Sequence, residues 1–521
     1  MNAFLERHRT SITGVLQGLD RLRLRGTLRP LAYAGGMMSY LSHIGVLLKG
    51  FKEYAGSVTE QIRRTAERVA EAAQRPVTYL ASSSTRKEHV AREIAQRDGV
   101  DEGLICVLTC VEPCWSYQVY RNRETRRLEL HGRPSKCLHY YHYWMDPMFG
   151  FMHARLQTWF PFTVHICING REWLARQMDR AGIGYVRRDN CFLQIANVAR
   201  AQRLMDRQLQ VNFRKMLDKL VPRFNPAHRK VFRPCPMSYY WSVEESEWAS
   251  DVMFRSPALL AGFYPRLIRH VMEHLGSRDV MRFLGRKVPA HGGVHGSFAG
   301  DVVSDLRQRP EGIRVKHQVH RNSIKMYDKE GSILRVETTI NDAADLKVFR
   351  PKEGDGRGKK AWRPMRKGVA DLHRRAVVSQ SANDRYLDSL AAVEETTNFG
   401  SLVEKLCQPA QWKGKRVRAL NPFSPDDAQL LNTVNRGEFS VNGFRNRDLR
   451  VLLYTATPAD LQEQRRQSAA VTRKLRLLRA HGLIRKVPKT HRYMLSKKGQ
   501  TTITALLTAR AADTAKLATA A

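Results

Sequence analysis

Long apolar runs are missing from this 521-residue chain. No stretch of about 18 consecutive apolar residues occurs, so no membrane-spanning helix and no membrane partner is expected. The opening MNAFLERHRTSITGVLQGLDRLRLRG lacks an uninterrupted apolar segment and a small-residue cleavage site, so it reads as no secretory signal. Cysteine is scarce, 8 residues at irregular spacing, which excludes a disulfide scaffold and suits a reducing cytoplasm. Acid is short as well: 49 Asp and Glu stand against 88 Lys and Arg, a formal net charge of +39. Such an excess calls for a polyanionic partner, with nucleic acid ahead of an anionic membrane surface. The P-loop, a G-x-G-x-x-G after a strand and the G-x-S-x-G elbow are also absent, as are internal repeats.

What is present is a folding composition. Hydrophobic residues make up 42% and aromatics 8%, which excludes a disordered basic tail. At roughly 150 residues per domain, the length allows about three domains. The expected fold class is α+β and multidomain, with a mixed or antiparallel sheet core and helical segments.

Residues 1–114 read as helical with a small α/β unit. The stretch 57–75 has apolar residues at near-helical spacing (Val58, Ile62, Val69, Ala72) before Pro76. VTYLASSS then reads as a strand and turn, with Ser84 or Thr85 capping the helix TRKEHVAREIAQRDG, and GLICVLTCVE reads as a buried strand. Residues 115–350 read as an α+β sheet domain. Its opening supplies four strands: WSYQVYRN, RRLELHG, CLHYYHYWMD and GFMHARLQTWFPFTVHICING. The stretch 195–222 is expected to be helical until Pro222 and Pro226, and 245–285 mostly helical. A Gly/His-rich loop then leads to three strands, GIRVKHQVH, NSIKMYDKEG and SILRVETTIN. Residues 351–410 read as a basic, Gly- and Pro-rich linker followed by helices that pack on the last domain.

Several residue clusters invite a chemical reading. His139 and His142 have odd separation on a strand and face opposite sides, so they should not share a metal. With His153 and His165 they read as neutral members of an aromatic sheet. His291 and His295 read as a turn rather than ligands. Cys106, Cys110 and Cys114 share a strand face without a second pair, as buried thiols rather than a zinc site. No metal site is expected here. Tyr117, Tyr120, Tyr140, Tyr143, Trp144 and Trp159 can form a stacking platform for single-stranded bases, with Arg121, Arg123 and Arg155 near phosphates; core packing is the alternative. Asp146 and Asp189 are carboxylate candidates.

Residues 411–521 carry 22 Lys and Arg against 7 Asp and Glu. SPDDAQLLNTVNRG reads as a helix capped by Ser424, VNGFRNRDLRVLLY as a turn into a second, and SAAVTRKLRLLRAHGLI as a third. IRKVPKTHRYMLS reads as strand, basic turn, strand, before a last helix. This order, and LRLLRAHGLIRKVPKTHRYMLSKKGQTTITALL above all, resembles the winged helix-turn-helix domains of MarR-type regulators. The resemblance implies DNA binding by the third helix through Arg473, Lys474, Arg476 and Arg479, which lie away from its leucines. The wing residues Lys486, Lys489, His491 and Arg492 then lie near a minor groove or flanking phosphates. Arg445, Asn446, Arg447 and Arg450 open the preceding helix, where a phosphate is suited to the N-terminus; capping by Asn446 is the alternative.

The strand pair HRNSIKMYDKEGSILRVETTIN (320–341) resembles a hairpin of rolling-circle replication initiators of plasmids and filamentous phages. That resemblance implies metal-dependent nicking: Tyr327 as nucleophile, Asp328 and Glu337 as acidic residues, and Mg or Mn as the ion. The His-hydrophobic-His pair common in such nickases is missing. Read by position alone, Arg335 and Glu337 share a face and can pair as a surface ion pair. FLERHRTSITGVLQGLDRLRLRGTLRPL, GFMHARLQTWFPF and CINGREWLARQMDRAGIGYVRRDNCF resemble a family of long, basic bacterial proteins ending in such a domain. The expected function is therefore duplex-DNA binding by a regulator or mobile-element accessory. A nickase and an RNA-binding protein are the alternatives, and cofactors and oligomeric state stay open.

Overall fold

The computed structural model describes residues 3–286, 302–310, 312–352, 358–391, 403–404, 406–454, 460–488 and 490–511. The chain is α+β and divides into two compact units, Gln17–Trp248 with Arg366–His373, and Met1–Leu16 with Ala249–Met365 and Arg374–Ala521. Among the described residues, no helix is long and apolar enough to cross a membrane.

The first unit is built on a mixed sheet. Its strands are β1 (Ile12–Thr27), β2 (Val77–Tyr79), β3 (Gly103–Arg121), β4 (Leu128–Asp146), β5 (Gly150–Gln157) and β6 (Val164–Asn169), in the order β1-β6-β5-β4-β3-β2. All pairs are antiparallel except β2–β3, which the helix Lys87–Arg97 connects in parallel. This is the α/β unit read from the sequence, but Arg86 stands at the N-cap instead of Ser84 or Thr85. The helix Phe51–Ala72 buries Phe51, Ala55, Val58, Ile62, Ala66 and Ala70, a three-to-four spacing in which alanines allow close approach.

The sequence reading fails at β1. The start of the 1–114 region reads as helical, yet 16 of its residues form a strand. From Asp20 to Gly26 burial alternates strictly: Leu22 and Leu24 are buried, while Arg21, Arg23 and Arg25 face outward. That is the period of a half-buried strand. A second correction concerns strand length. Four segments fuse into two strands of 19 residues, β3 and β4, across Pro113 and across Gly132 and Pro134. Pro113 is tolerated because β2 pairs with β3 only at Val107–Thr109, leaving that edge unpaired at Pro113. Gly132 has a steric reason. A Cβ there would lie 1.9 Å from the Trp115 ring, which lies across the neighbouring strand. Gly132→Val is expected to lower stability by about 1–3 kcal/mol through overpacking. An unchanged denaturant midpoint would show that Trp115 moves aside freely.

β7 (Tyr185–Arg188) and β8 (Cys191–Ile195) form a separate hairpin whose turn includes Asp189 at φ 50°. The helix Phe213–Phe224 carries Pro222 inside it, so that proline does not end the helix as expected. β9 (Tyr240–Phe254) replaces the start of the helical stretch expected from 245. Helices Pro257–Glu273 and Ser277–Phe283 follow it.

In the second unit β10 (Val302–Arg309), β11 (Gly312–Val319), β12 (Asn322–Lys329) and β13 (Ile333–Ile340) form an antiparallel meander. The last three are the strands read from the sequence. The β12–β13 turn falls at Asp328–Gly331, with Glu330 and Gly331 at positive φ and Gly331 N–H donating to the Asp328 carbonyl at 3.0 Å. The helix Leu372–Leu390 packs Ala382, Tyr386, Leu387 and Leu390 against Val315, Ile324 and Val336, so it belongs to this core rather than to the C-terminal one. β15 (Ala361–Pro364), within the stretch 351–368 expected to be a loop, pairs with β14 (Lys347–Arg350) just before it.

A separate core collects the C-terminal elements: helices Pro425–Val434, Gly437–Asn442, Asn446–Leu453 and Leu461–Ala480, the hairpin β18 (Ile484–Lys486) and β19 (Tyr493–Leu495), and helix Lys497–Ala511. β16 (Ala410–Trp412) and β17 (Lys415–Val417) precede them. Ser424 caps the first helix by accepting from the Asp427 N–H at 3.3 Å. Phe444 bridges to Tyr493 on the other edge of β19, a one-residue third strand beside the hairpin.

Candidate nucleic-acid interface

The helix Leu461–Ala480 turns Val471, Leu475 and Leu478 into the core. The opposite side carries exposed Arg465, Thr472, Arg473 and Arg476. Positions 465, 469, 472 and 476 form one stripe at helical spacing. Sequence reasoning missed Arg465, although it lies two turns before Thr472 and Arg473 on that face. Lys474 is instead half-buried, and its charge acts on Asp427. Burial raises that carboxyl, but the Arg418 guanidinium, the Asn421 N–H and the Lys474 charge together hold it below its usual range. Arg479 lies 4.7 Å over the Trp412 ring. The four basic residues of the sequence reading therefore separate into two exposed ones, Arg473 and Arg476, and two half-buried ones, Lys474 and Arg479.

A second basic group gathers at the start of the helix Asn446–Leu453. Burial, with repulsion from Arg445 and Arg447 against attraction from Asp448, lowers the Arg492 pKa. Arg492 also lies 4.3 Å over the Phe349 ring. The Arg445 Nε is buried without a hydrogen-bond partner. Arg445 stands at the N-cap, and its N–H donates to Asp448 at 2.8 Å. Asn446 does not cap the helix. Its Nδ2 donates to the Ser468 carbonyl at 2.8 Å and to Thr472 Oγ1 at 2.9 Å. That clamp holds the Arg445 and Arg447 end beside the stripe of Thr472, Arg473 and Arg476. Arg450 instead donates toward the Gln464 carbonyl at 3.4 Å. On the hairpin, Lys486 and His491 are exposed, and Lys489 lies outside the described residues.

The β12–β13 hairpin holds a different arrangement. Tyr327 OH donates to Glu337 at 2.6 Å and Lys325 Nζ donates to its other oxygen at 2.6 Å. Burial raises the Glu337 carboxyl, but the charges of Lys325 and Arg335 and these two hydrogen bonds overcome it and hold the pKa down to about 2. Arg335 does not pair with Glu337 on a surface. It is fully buried and grips Asp251 of β9 with Nε and NH2, the latter at 2.8 Å. Asp328 is left out of this cluster: its side chain accepts the Ile313 N–H at 2.7 Å and fixes the start of β11.

Most of the six aromatics follow the core-packing alternative rather than an exposed platform. Tyr117, Tyr140, Tyr143 and Trp144 are buried, and Tyr120 alone of the six is exposed. Asp146 pairs with Arg223 at 2.7 Å and accepts the N–H groups of Met148 and Phe149, a turn-holding role. His291 and His295 lie outside the described residues. Burial lowers His142 to about 3, with neither ring nitrogen hydrogen-bonded. Burial and then the Arg155 charge lower His139 to about 4, and burial and then Arg23 lower His153 to about 4.

These neutral imidazoles set an acid limit. Their folded pKa values lie below the unfolded value of roughly 6.5, so the unfolded chain binds more protons. Their contribution is complete above about pH 6.5 and is lost as the pH falls toward 4. The denaturant midpoint is expected to drop over that window. His142→Leu should flatten the dependence by about one proton; an unchanged slope in this variant would show that His142 is protonated in the fold.

Comparison with known protein families, with curated proteins and with solved structures returned no match.

Proposed function

We propose that this chain is a nucleic-acid-binding protein that engages duplex DNA through its C-terminal elements, arranged as a winged helix. In this reading the helix Leu461–Ala480 enters the major groove, the β18–β19 hairpin is the wing, and the Phe444–Tyr493 bridge closes the small sheet beneath it. One observation carries the proposal: Arg465, Arg473 and Arg476 project from the exposed side of one helix and, among the described residues, form no ion pair. Arg473 and Arg476 then contact phosphates or base edges, while Arg445, Arg447 and Arg492 hold a phosphate at the neighbouring helix start. Such a protein acts as a regulator or as an accessory of a mobile element.

The test is competition among duplex DNA, single-stranded DNA and structured RNA for the full chain at several salt concentrations. Preference for the duplex supports the proposal. Preference for structured RNA replaces it with RNA binding.

The β12–β13 cluster supports a second reading, a nickase that uses Mg or Mn. Its favouring observation is the Tyr327 phenol hydrogen-bonded to Glu337, the pairing of a nucleophile with a base. A carboxylate held near pKa 2 is a weak base at neutral pH, which places this reading second. Cleavage of supercoiled or single-stranded DNA with Mg²⁺ or Mn²⁺, lost in Glu337→Gln together with a covalent adduct lost in Tyr327→Phe, is the result that would promote it.

A further inference from the structure

The β3–β4 hairpin outruns its sheet. β2 pairs with β3 only at Val107–Thr109, and β5 pairs with β4 only at His139–Asp146. Beyond them the hairpin is pinned at its base. The Gln157 side chain donates to the Trp115 carbonyl at 3.0 Å, Trp159 Nε1 donates to the Tyr117 carbonyl at 3.0 Å, and Trp115 lies over Gly132. From Gln118 to His131 the side-chain hydrogen bonds stay within the hairpin itself.

This ribbon is stiff at its end. Asn122 Oδ1 accepts the N–H groups of Glu124 at 2.9 Å and Thr125 at 3.2 Å, and the Asn122 N–H donates to the Arg127 carbonyl at 2.9 Å. Glu129 accepts from Tyr120 OH and Asn122 Nδ2, both at 2.7 Å, so its charge is spent on holding the ribbon together. Apart from the exposed Glu124 at the tip, the remaining charge is basic. Arg121, Arg123, Arg126, Arg127 and Arg133 are all exposed, and none forms an ion pair among the described residues. Arg121 and Arg133 stand on opposite faces of the ribbon, since their cross-strand partners, Leu128 and Ser116, fall on alternate positions.

We infer that this arm is a second contact to duplex DNA, laid in the major groove. Charge complementarity selects a polyanion, and size selects the groove. Two strands about 4.8 Å apart, with their side chains, fit a groove roughly 12 Å wide. Arginines on both faces and at the tip reach phosphates of both groove walls. A single-stranded ligand needs aromatic faces for its bases, and the ribbon's exposed aromatics, Trp115 and Tyr120, are engaged with Gly132 and with Glu129 and His131. The inference rests on the duplex-binding reading of the chain, but on different residues.

The experiment measures binding of a duplex by the full chain against salt, for wild type, for Arg121→Gln/Arg123→Gln/Arg127→Gln, and for Arg473→Ala/Arg476→Ala. Arg126 is left in place because its backbone is left-handed at φ 56°. The arm variant is expected to lose about 2–3 units of the slope of log K on log salt, at about 0.9 per phosphate contact. Its circular dichroism and melting should match wild type. A hydroxyl-radical footprint should lose one patch that the C-terminal variant retains. An arm variant with wild-type slope and footprint overturns the inference while leaving the duplex reading intact. Loss of single-strand affinity with duplex affinity kept also overturns it. Wild type that fails to bind duplex defeats the underlying reading, and the inference with it.

Discussion

Arg335→Met is expected to destabilise the second unit by about 3–5 kcal/mol, the effect of leaving a buried carboxylate without its partner. Arg335 and Asp251 are both fully buried, and the guanidinium meets the carboxylate through two hydrogen bonds. Methionine keeps the length of the side chain and removes the charge, so the loss reports the stranded Asp251 rather than a cavity. The double variant Asp251→Leu/Arg335→Met should recover most of the loss, because an apolar pair of similar volume often matches or exceeds a buried ion pair. Equilibrium unfolding in urea measures both. A single variant within 1 kcal/mol of wild type would mean that water reaches Asp251.

Arg473→Ala/Arg476→Ala is expected to lower duplex affinity and to reduce its salt slope by roughly 1–2 units, since each lost phosphate contact removes about 0.9. Both residues are exposed, so folding should be unaffected. Lys474→Ala is the contrasting control. Its charge acts on Asp427 within the fold, and the slope should change little. If Lys474→Ala weakens binding as much as the double variant, the helix presents a different face to DNA.

The C-terminal elements and the β11–β13 meander were legible because their signals are local. Ser424 marks a helix start, Gly482 at φ 71° a helix end, and Asp328–Gly331 a tight turn. β1 was not read because arginine and leucine are both good helix formers, and their alternation carries the strand signal only when counted by twos. The fused strands β3 and β4 were missed because Pro113, Gly132 and Pro134 look like breaks. Only tertiary context shows that Pro113 faces an open edge and that Gly132 makes room for Trp115. In the candidate sites, residue types were legible but pairings were not. Nothing local assigns Arg335 to Asp251, which is 84 residues away, or Asn446 to Ser468 and Thr472 on another helix. The same holds for Arg479, whose ring partner Trp412 lies outside the helix pattern.

The most direct test of the central claim is the salt dependence of duplex DNA binding by the full chain. If Arg473, Arg476 and Lys486 each meet a phosphate and Arg445, Arg447 and Arg492 share a fourth, four contacts at about 0.9 each give a slope of log K on log salt of about −3.6 or steeper. A slope near zero, or no duplex binding at low salt, would contradict the account.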